Sequence, residues 1–235
     1  MKILDHSYTT PEENLACDEA LLDESEASGG DEVLRFWTSP TYFTVLGYSN
    51  IWKDEVKKTP GVPVFRRCSG GGSVLQGPGC LNYSLILKAA AAGPLANIRS
   101  TNEYVMQRQQ KALSKLLGKN VLIQGHTDLT LDALKFSGNS QRRKKSRLLF
   151  HGTFLLDFDL ERIARCLKFP PKQPSYRKDR PHTDFLTNLG VSEAKIKSSL
   201  REEWKAKSLL KEIPQGRIAN LVEERYSKAD WNFKF

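Results

Sequence analysis

Apolar and polar positions along the 235-residue chain predict short strands interleaved with helices. KILDHSY, Lys2 to Tyr8, reads as a first short strand. Thr10-Pro11-Glu12-Glu13 then combines an N-cap side chain, a proline at the first helical position and a capping-box glutamate. A helix is expected from there to about Glu26, ending before Gly29-Gly30. VLRFW (Val33 to Trp37) and YFTVLG (Tyr42 to Gly47) read as a strand pair. Pro63 to Arg67 and Leu81 to Leu87 are further strands, one entering and one leaving a glycine-rich stretch. Ser100-Thr101-Asn102-Glu103 reads as a second capping box, opening a helix to Leu117 with Val105, Met106, Ala112, Leu113 and Leu116 on its apolar side and Gly118 as its stop. VLIQ, LTLDAL and RLLFHGTFLLDF carry strand character. Asp159 opens a short helix with Leu160, Ile163, Ala164 and Leu167 inward. Pro170 to Arg180 is a proline- and cation-rich loop or flap, and segments from about Ser192 to Lys207 and Arg217 to Tyr226 are helical.

Mostly consecutive strands with helices grouped at intervals predict an α+β class, with a mixed, largely antiparallel sheet core flanked by helices. The helical segment 190–235 is expected as a small C-terminal lobe of the same domain, since no linker precedes it. A hydrophobic content of 39% with 27% charged residues is that of a globular chain. No apolar run approaches the roughly 18 residues a membrane span needs, so no membrane partner is expected. The opening segment carries Asp5, Glu12 and Glu13 and no apolar core, which argues against a signal peptide. Four cysteines without a CxxC pair favour reduced thiols and a cytoplasmic location over a disulfide framework or structural zinc. The net charge of +9 calls for an anionic partner, and nucleotide, nucleic acid and acidic protein all qualify.

The chemistry concentrates in RRCSGGGSVLQGPGCLNYS, Arg66 to Ser84. Gly72 and Gly77 have the spacing of a P-loop, but Pro78 and Gly79 stand where Lys and Ser/Thr are required. The stretch also leads into a strand rather than a helix, so neither a P-loop nor a dinucleotide fingerprint fits. Adjacent glycines cost backbone entropy. They serve either a hairpin bend with two solvated arginines or a loop whose N–H groups, with Arg67, border an anion. A second segment, LKFSGNSQRRKKSRLLFHGTFLLDFDL, sets Lys135 between Leu134 and Phe136. Such a lysine either snorkels to solvent or stands as a fixed cation beside a reacting phosphate or carbonyl.

These two segments together resemble the signature blocks of the lipoate–protein ligase A family, within the biotin/lipoate ligase superfamily. RRCSGGGSV is similar to its RRxSGGGxV, LNYS to its GNLNYS, LKFSGNSQ to its lysine block, and FHGTFLLDFDL to its HHGTLLL-x-x-DL. NLACDEALL (Asn14 to Leu22) is similar to the family's first helix and VLGYSN (Val45 to Asn50) to its IGRxQN strand end. Thr187-Asn188-Leu189 and Trp231-Asn232-Phe233 follow in the expected order. The resemblance covers nearly the whole chain, implying one catalytic domain of the biotin/lipoate-ligase type over residues 1–235. The expectation is a catalytic domain without the C-terminal accessory domain of longer members, which would either function alone or work with a separate accessory polypeptide.

The resemblance implies an enzyme that activates lipoate or octanoate with ATP and Mg2+ to an acyl-adenylate. The acyl group then passes to a lysine of a lipoyl domain, in 2-oxoacid dehydrogenase complexes or the glycine cleavage H protein. By matching positions, Lys135 is the catalytic residue, bridging the α-phosphate and the acyl carbonyl. Arg67, Gly72, Ser73, Val74 and Leu75, with Lys135, would hold ATP. Ser69, Gly70, Gly71 and His151, again with Lys135, would hold lipoate. Asp128, in a stretch similar to the family's NDL, is the candidate magnesium carboxylate, against the plain reading of a solvated turn residue. An acyl-adenylate is already a strong acylating agent, so no Ser or Cys nucleophile is required.

Five positions depart from the family pattern. Gln76-Gly77 replaces His-Asp, Cys80 the first Asn of GNLNYS, Phe150 the first His of HHG, and Tyr48 the arginine of IGRxQN. The pocket lining is therefore expected to have lost polar and ionisable groups. Two rival readings stay open. An octanoyltransferase would take octanoate from acyl carrier protein through a low-pKa thiol, with Cys80, beside the glycine loop, the one to test. Cys166, on a predicted amphipathic helix, reads as structural. A nucleic-acid module would use Arg142-Arg143-Lys144-Lys145-Ser146-Arg147, five cations in six residues, although neither interleaved aromatics nor a binding motif accompanies them. The bland alternative is a solvated hairpin tip. Lipoyl domains tend to be acidic, so this run would also suit steering of the acceptor.

Overall fold

The computed structural model describes residues 1–235. The chain opens with β1 (Lys2–Asp5), α1 (Pro11–Ser28), β2 (Val33–Trp37), β3 (Phe43–Leu46), the single-turn α2 (Trp52–Glu55), β4 (Val64–Arg66), β5 (Val74–Gln76) and β6 (Cys80–Lys88). It continues through α3 (Ile98–Leu117), β7 (Leu122–Gln124), β8 (Asp128–Leu131), β9 (Leu134–Arg143), β10 (Arg147–Leu155) and α4 (Leu160–Cys166). A 3-10 turn, Ser175–Arg177, precedes α5 (His182–Phe185), α6 (Glu193–Glu203), β11 (Ser208–Leu209) and α7 (Gln215–Leu221). The π turn Val222–Tyr226 and α8 (Ala229–Asn232) close the chain.

Eight strands form one sheet in the order β11-β1-β2-β6-β10-β9-β8-β7, and β4-β3-β5 form a second. Pairing is antiparallel except for β1 with β2, β1 with β11, and β3 with β4. The α+β class with a mixed, largely antiparallel sheet is thus observed. VLRFW and YFTVLG, expected to pair, do not. Each is a central strand buried along its whole length, β2 between β1 and β6 and β3 between β4 and β5, so neither has a free edge for the other. LTLDAL is likewise not one strand but straddles a hairpin, with Asp132 and Ala133 both left-handed at φ 49° and 62°. The α3 capping box lies three residues earlier than expected, with Asn97 as the cap and Ser100 as its reciprocal partner.

The large sheet is covered on both faces. Leu81, Tyr83, Leu85 and Leu87 of β6 point into a 22-residue cluster with α3 and α6, while Ile86 points into an 18-residue cluster with α1 and α7. Within segment 190–235, α6 packs on α3 and α7 on α1, so the segment is shared between the two faces. The polar residues Asn82 and Ser84 of β6 are buried with Ile86 on the α1 side, and the candidate site forms around them.

Candidate active site

β4 and the residue after it deliver two buried arginines to the glycine stretch, and both are spent mainly on backbone carbonyls. Arg66 donates through Nη1 to the carbonyls of Gly47 (2.9 Å), Tyr48 (3.0 Å) and Asn50 (2.8 Å), and through Nη2 to Asn232 O (3.1 Å). It thereby staples the turn after β3 to the C-terminal segment. Arg67 donates to Ser69 Oγ (3.0 Å), to Gly70 O (2.5 Å) and to Gly72 O (2.9 Å). Burial lowers its pKa to about 10, so it is still a cation at neutral pH. In a trans peptide the N–H points opposite the carbonyl. With the Gly70 and Gly72 carbonyls turned onto Arg67, the Gly71 and Ser73 N–H groups face the other way. Gly71 and Gly72 donate to no protein acceptor, whereas Ser73 gives its N–H (3.0 Å) and Oγ (2.5 Å) to the Glu55 carboxylate. A Cβ on Gly47 would lie 1.9 Å from Gly71 O, and Gly71 itself has φ 86°, so the loop can lie here only with glycine at both positions.

The lysine strand faces this cradle. Between β8 and β9 the register shifts, so that Asp128 is opposite Gly138 but Thr130 is opposite Lys135. This bulge puts Lys135 and Gly138, three residues apart, on one face of the sheet. The Lys135 ammonium lies over Gly138, where a Cβ would stand 2.9 Å from Nζ. It pairs with Asp128 Oδ1 at 2.8 Å, with the two side chains only 25% and 14% exposed. Tyr176, from the proline-rich loop, donates its hydroxyl to Asp128 Oδ2 at 2.7 Å. Burial, with the neighbouring carboxylate, pushes that phenol well above its usual range. Asn139 ties the strand down, donating to Thr127 O (2.7 Å) and accepting from Tyr83 Oη (2.6 Å). Its side-chain Oδ1 would lie 1.8 Å from any Cβ on Gly152, which accounts for the glycine after His151.

A buried polar chain runs behind the cradle. Arg35 donates to Asp18 Oδ1 at 2.5 Å, Asp18 Oδ2 lies 3.3 Å from His151 Nδ1, and His151 Nε2 lies 2.6 Å from Ser69 Oγ. Ser69 Oγ accepts from Arg67, which frees its own hydrogen for His151 Nε2 and leaves Nδ1–H to donate to Asp18. Burial alone would raise the Asp18 carboxyl, but Arg35 and the His151 and Ser84 contacts hold it below its ordinary value.

These elements surround one cavity of about 830 Å³, lined by Arg67, Gly71 to Leu75, Asp128, Lys135 and His151. Ser69 and Gly70 lie behind Arg67 and do not line it. Glu55, Asp18 and Tyr176 join the sequence-predicted residues through their contacts. Arg35 had a readable signal, as a lone charge in the apolar VLRFW, whereas Asp18 is followed directly by a second acid, Glu19, and is not singled out by the sequence. Glu55 and Tyr176 lie in polar segments that look like any surface loop. No cluster of three metal-type ligands forms, and both Asp128 oxygens already accept hydrogen bonds within the protein.

The expected loss of polarity at the departing positions is only half right. Ionisable groups are gone, but Gln76, Asn82 and Thr153 close a neutral ring on the cavity wall. Gln76 donates to Thr153 (2.7 Å), Thr153 to Asn82 (2.6 Å), and Asn82 back to Gln76 (3.0 Å). Gly77 makes room for Tyr42, whose ring would lie 2.5 Å from a Cβ there. Phe150 is core. Tyr48 packs beside Trp231, with the cations of Arg142 and Lys234 over its ring. Cys80, singled out as a reactive thiol, is buried in an apolar cluster, and burial pushes it, like Cys68, far above the thiol range. Cys17 rises to about 11 for the same reason. No cysteine lines the cavity. The basic run is mostly occupied too: Arg142 rests on Tyr48, Arg143 binds Thr101 and the Leu95 carbonyl, Lys144 pairs with Asp23, and Arg147 binds Ser25. Only Lys145 lacks a partner, which leaves little of a nucleic-acid surface.

Comparison with known proteins places this arrangement. The profile of the lipoyl protein ligase A/B catalytic domain matches residues 10–200. An octanoyltransferase LipM of Carboxydothermus hydrogenoformans is 28% identical, over 100% of this chain and 98% of its own. A putative lipoate-protein ligase A of Aeropyrum pernix is 30% identical, over 89% of this chain and 76% of its own. Among solved structures, a bi-partite lipoate protein ligase from Thermoplasma acidophilum, described with its E2 lipoyl domain, superposes with a TM-score of 0.83 at 22% identity. It covers 99% of this chain and 95% of that one.

Proposed function

The chain belongs to the lipoyl protein ligase A/B catalytic domain family, and from that premise we propose that it is an ATP-dependent lipoate–protein ligase rather than a thioester-using transferase. The observation that carries this reading is the make-up of the cavity, which pairs a fixed ammonium with free main-chain donors and contains no thiol. A transferase of the octanoyl type needs an ionisable cysteine within reach of the acyl group. Here all four thiols are buried, and burial holds those of Cys17, Cys68 and Cys80 protonated.

A carboxylate oxygen of lipoate attacks the α-phosphorus of ATP. The bond to the leaving pyrophosphate breaks, and the acyl-adenylate remains. Lys135 stands between the developing charge on the α-phosphate and the acyl carbonyl, held there by Asp128. The Gly71 and Gly72 N–H groups supply preorganised donors for phosphate oxygens, and the Arg67 cation lies behind them. Ser73 becomes available to the nucleotide once Glu55 yields its contacts. Ser69 and His151 fix the back of the cradle, and the wall of Leu15, Trp37 and Val45 offers an apolar bed for the acyl chain. Asp128, the expected magnesium carboxylate, has both oxygens engaged by Lys135 and Tyr176, so its role here is to hold the Lys135 ammonium and no step is assigned to a metal on it. Acceptors are lysines of lipoyl domains, in keeping with the bi-partite relative and its E2 lipoyl domain.

Incubation of the chain with lipoate, Mg-ATP and an apo lipoyl domain should release AMP and add the mass of a lipoyl group to the acceptor, equally in wild type and Cys80→Ser. Transfer from octanoyl-acyl carrier protein without ATP, lost in Cys80→Ser, would overturn the reading in favour of the transferase.

A further inference from the structure

His182 stands outside everything used so far. It begins α5, is half-buried, and lines the cavity beside the exposed Lys168 and Lys172. Its Nε2 lies 3.1 Å from the Lys168 carbonyl oxygen. A carbonyl only accepts, so Nε2 carries the hydrogen and the Nδ1 lone pair is bare, with no hydrogen-bond partner in the protein. The residues after α5 are pinned to the strand that presents Lys135: Leu186 bridges Lys135, and Thr187 N donates to Lys135 O at 2.9 Å. The imidazole and the reacting-centre ammonium therefore belong to one rigid unit.

Burial holds His182 below its usual value, and Arg177 of the 3-10 turn, Lys57 of the loop after α2 and Lys135 of β9 add to that. From α4, packed against α5, Arg162 and Arg165 turn to Asp159 instead. Asp184, on its own helix, accepts from Thr183, and Asp128 is committed to Lys135 and Tyr176. At neutral pH this is an uncharged base in a cationic setting. An acceptor lysine arrives there as an ammonium, with a pKa of roughly 10.4 in water, and the same cations lower it.

We propose that His182 Nδ1 is the general base that takes the proton from the acceptor lysine during acyl transfer. The acceptor ammonium first gives one proton to solvent, which the surrounding cations favour. The ε-nitrogen lone pair then forms its bond to the acyl carbon, the bond from that carbon to the phosphate oxygen breaks, AMP leaves with the electron pair, and the nitrogen's second proton passes to Nδ1. Of the other two imidazoles lining the cavity, His151 has both nitrogens engaged with Asp18 and Ser69, and His126 is exposed on the turn before β8.

The proposal rests on the ligase reading, and the test separates the two by assaying the half-reactions apart. His182→Gln keeps an amide N–H for the Lys168 carbonyl but has no basic lone pair. Single-turnover transfer from chemically prepared lipoyl-AMP to an apo lipoyl domain should fall by about 10²-fold, the scale of general-base catalysis. The acidic limb of the wild-type pH–rate profile should vanish with it. Lipoate-dependent pyrophosphate release should be unchanged. Undiminished transfer, a loss confined to pyrophosphate release, or an unaltered pH profile would overturn the role. A wild-type chain that cannot use lipoyl-AMP at all would remove the ligase reading and the proposal together.

Discussion

At the scale of single residues, the site depends on what glycine lacks. Gly138 is occupied in space by the Lys135 ammonium, because the bulge between β8 and β9 sets the two on one face. Gly138→Ala should leave the fold intact, since the methyl meets the end of a flexible side chain, but it should push Nζ off its position. A displacement of about an ångström at a reacting centre costs on the order of 10² in rate. Adenylate formation measured by pyrophosphate release should fall by that factor, with an unchanged urea midpoint. The lysine and its glycine were both legible in LKFSGNSQ, but the reason for their spacing was not. A bulge inserts one residue into one strand, and no local pattern in the sequence announces which.

At the scale of elements, α1 and β2 are joined by a charge pair of which the apolar patterning shows only one member, Arg35. Asp18 and Arg35 are both buried, and Asp18 also orients His151. Removing one partner of a buried pair strands the other, at a cost of about 3–5 kcal/mol. Asp18→Asn should therefore lower stability by that order at pH 7. The Asp18 carboxyl is held below its ordinary value in the fold, so its contribution is complete above the unfolded aspartate pKa of roughly 3.9. It is lost as pH falls through the depressed folded value. Urea titrations across pH should show the gap between wild type and Asp18→Asn wide at neutrality and closing in acid. Helices with strong caps, α1 and α3, were readable to within a few residues, as were β2, β6 and β10. Partner choice was not. VLRFW and YFTVLG look like a hairpin because they are adjacent and equally apolar, and only the burial of all their edges separates them.

At the scale of the whole molecule, Arg66 and Arg67 are buried on backbone carbonyls, but much of the positive charge behind the net +9 is exposed, at lysines such as Lys58, Lys119, Lys145, Lys172, Lys207 and Lys211 that form no ion pair. Under the proposed function, this exposed charge would steer an acidic acceptor more than bind one. Raising ionic strength should increase KM for the lipoyl domain while leaving kcat unchanged, as screening over a Debye length of about 10 Å at 0.1 M predicts. The central claim is that Lys135 and the glycine cradle together activate a carboxylate with ATP. Lipoate-dependent exchange of labelled pyrophosphate into ATP tests it most directly. The wild-type chain should catalyse exchange, and Lys135→Ala, folded by circular dichroism, should not. Equal exchange by the two proteins would contradict the account.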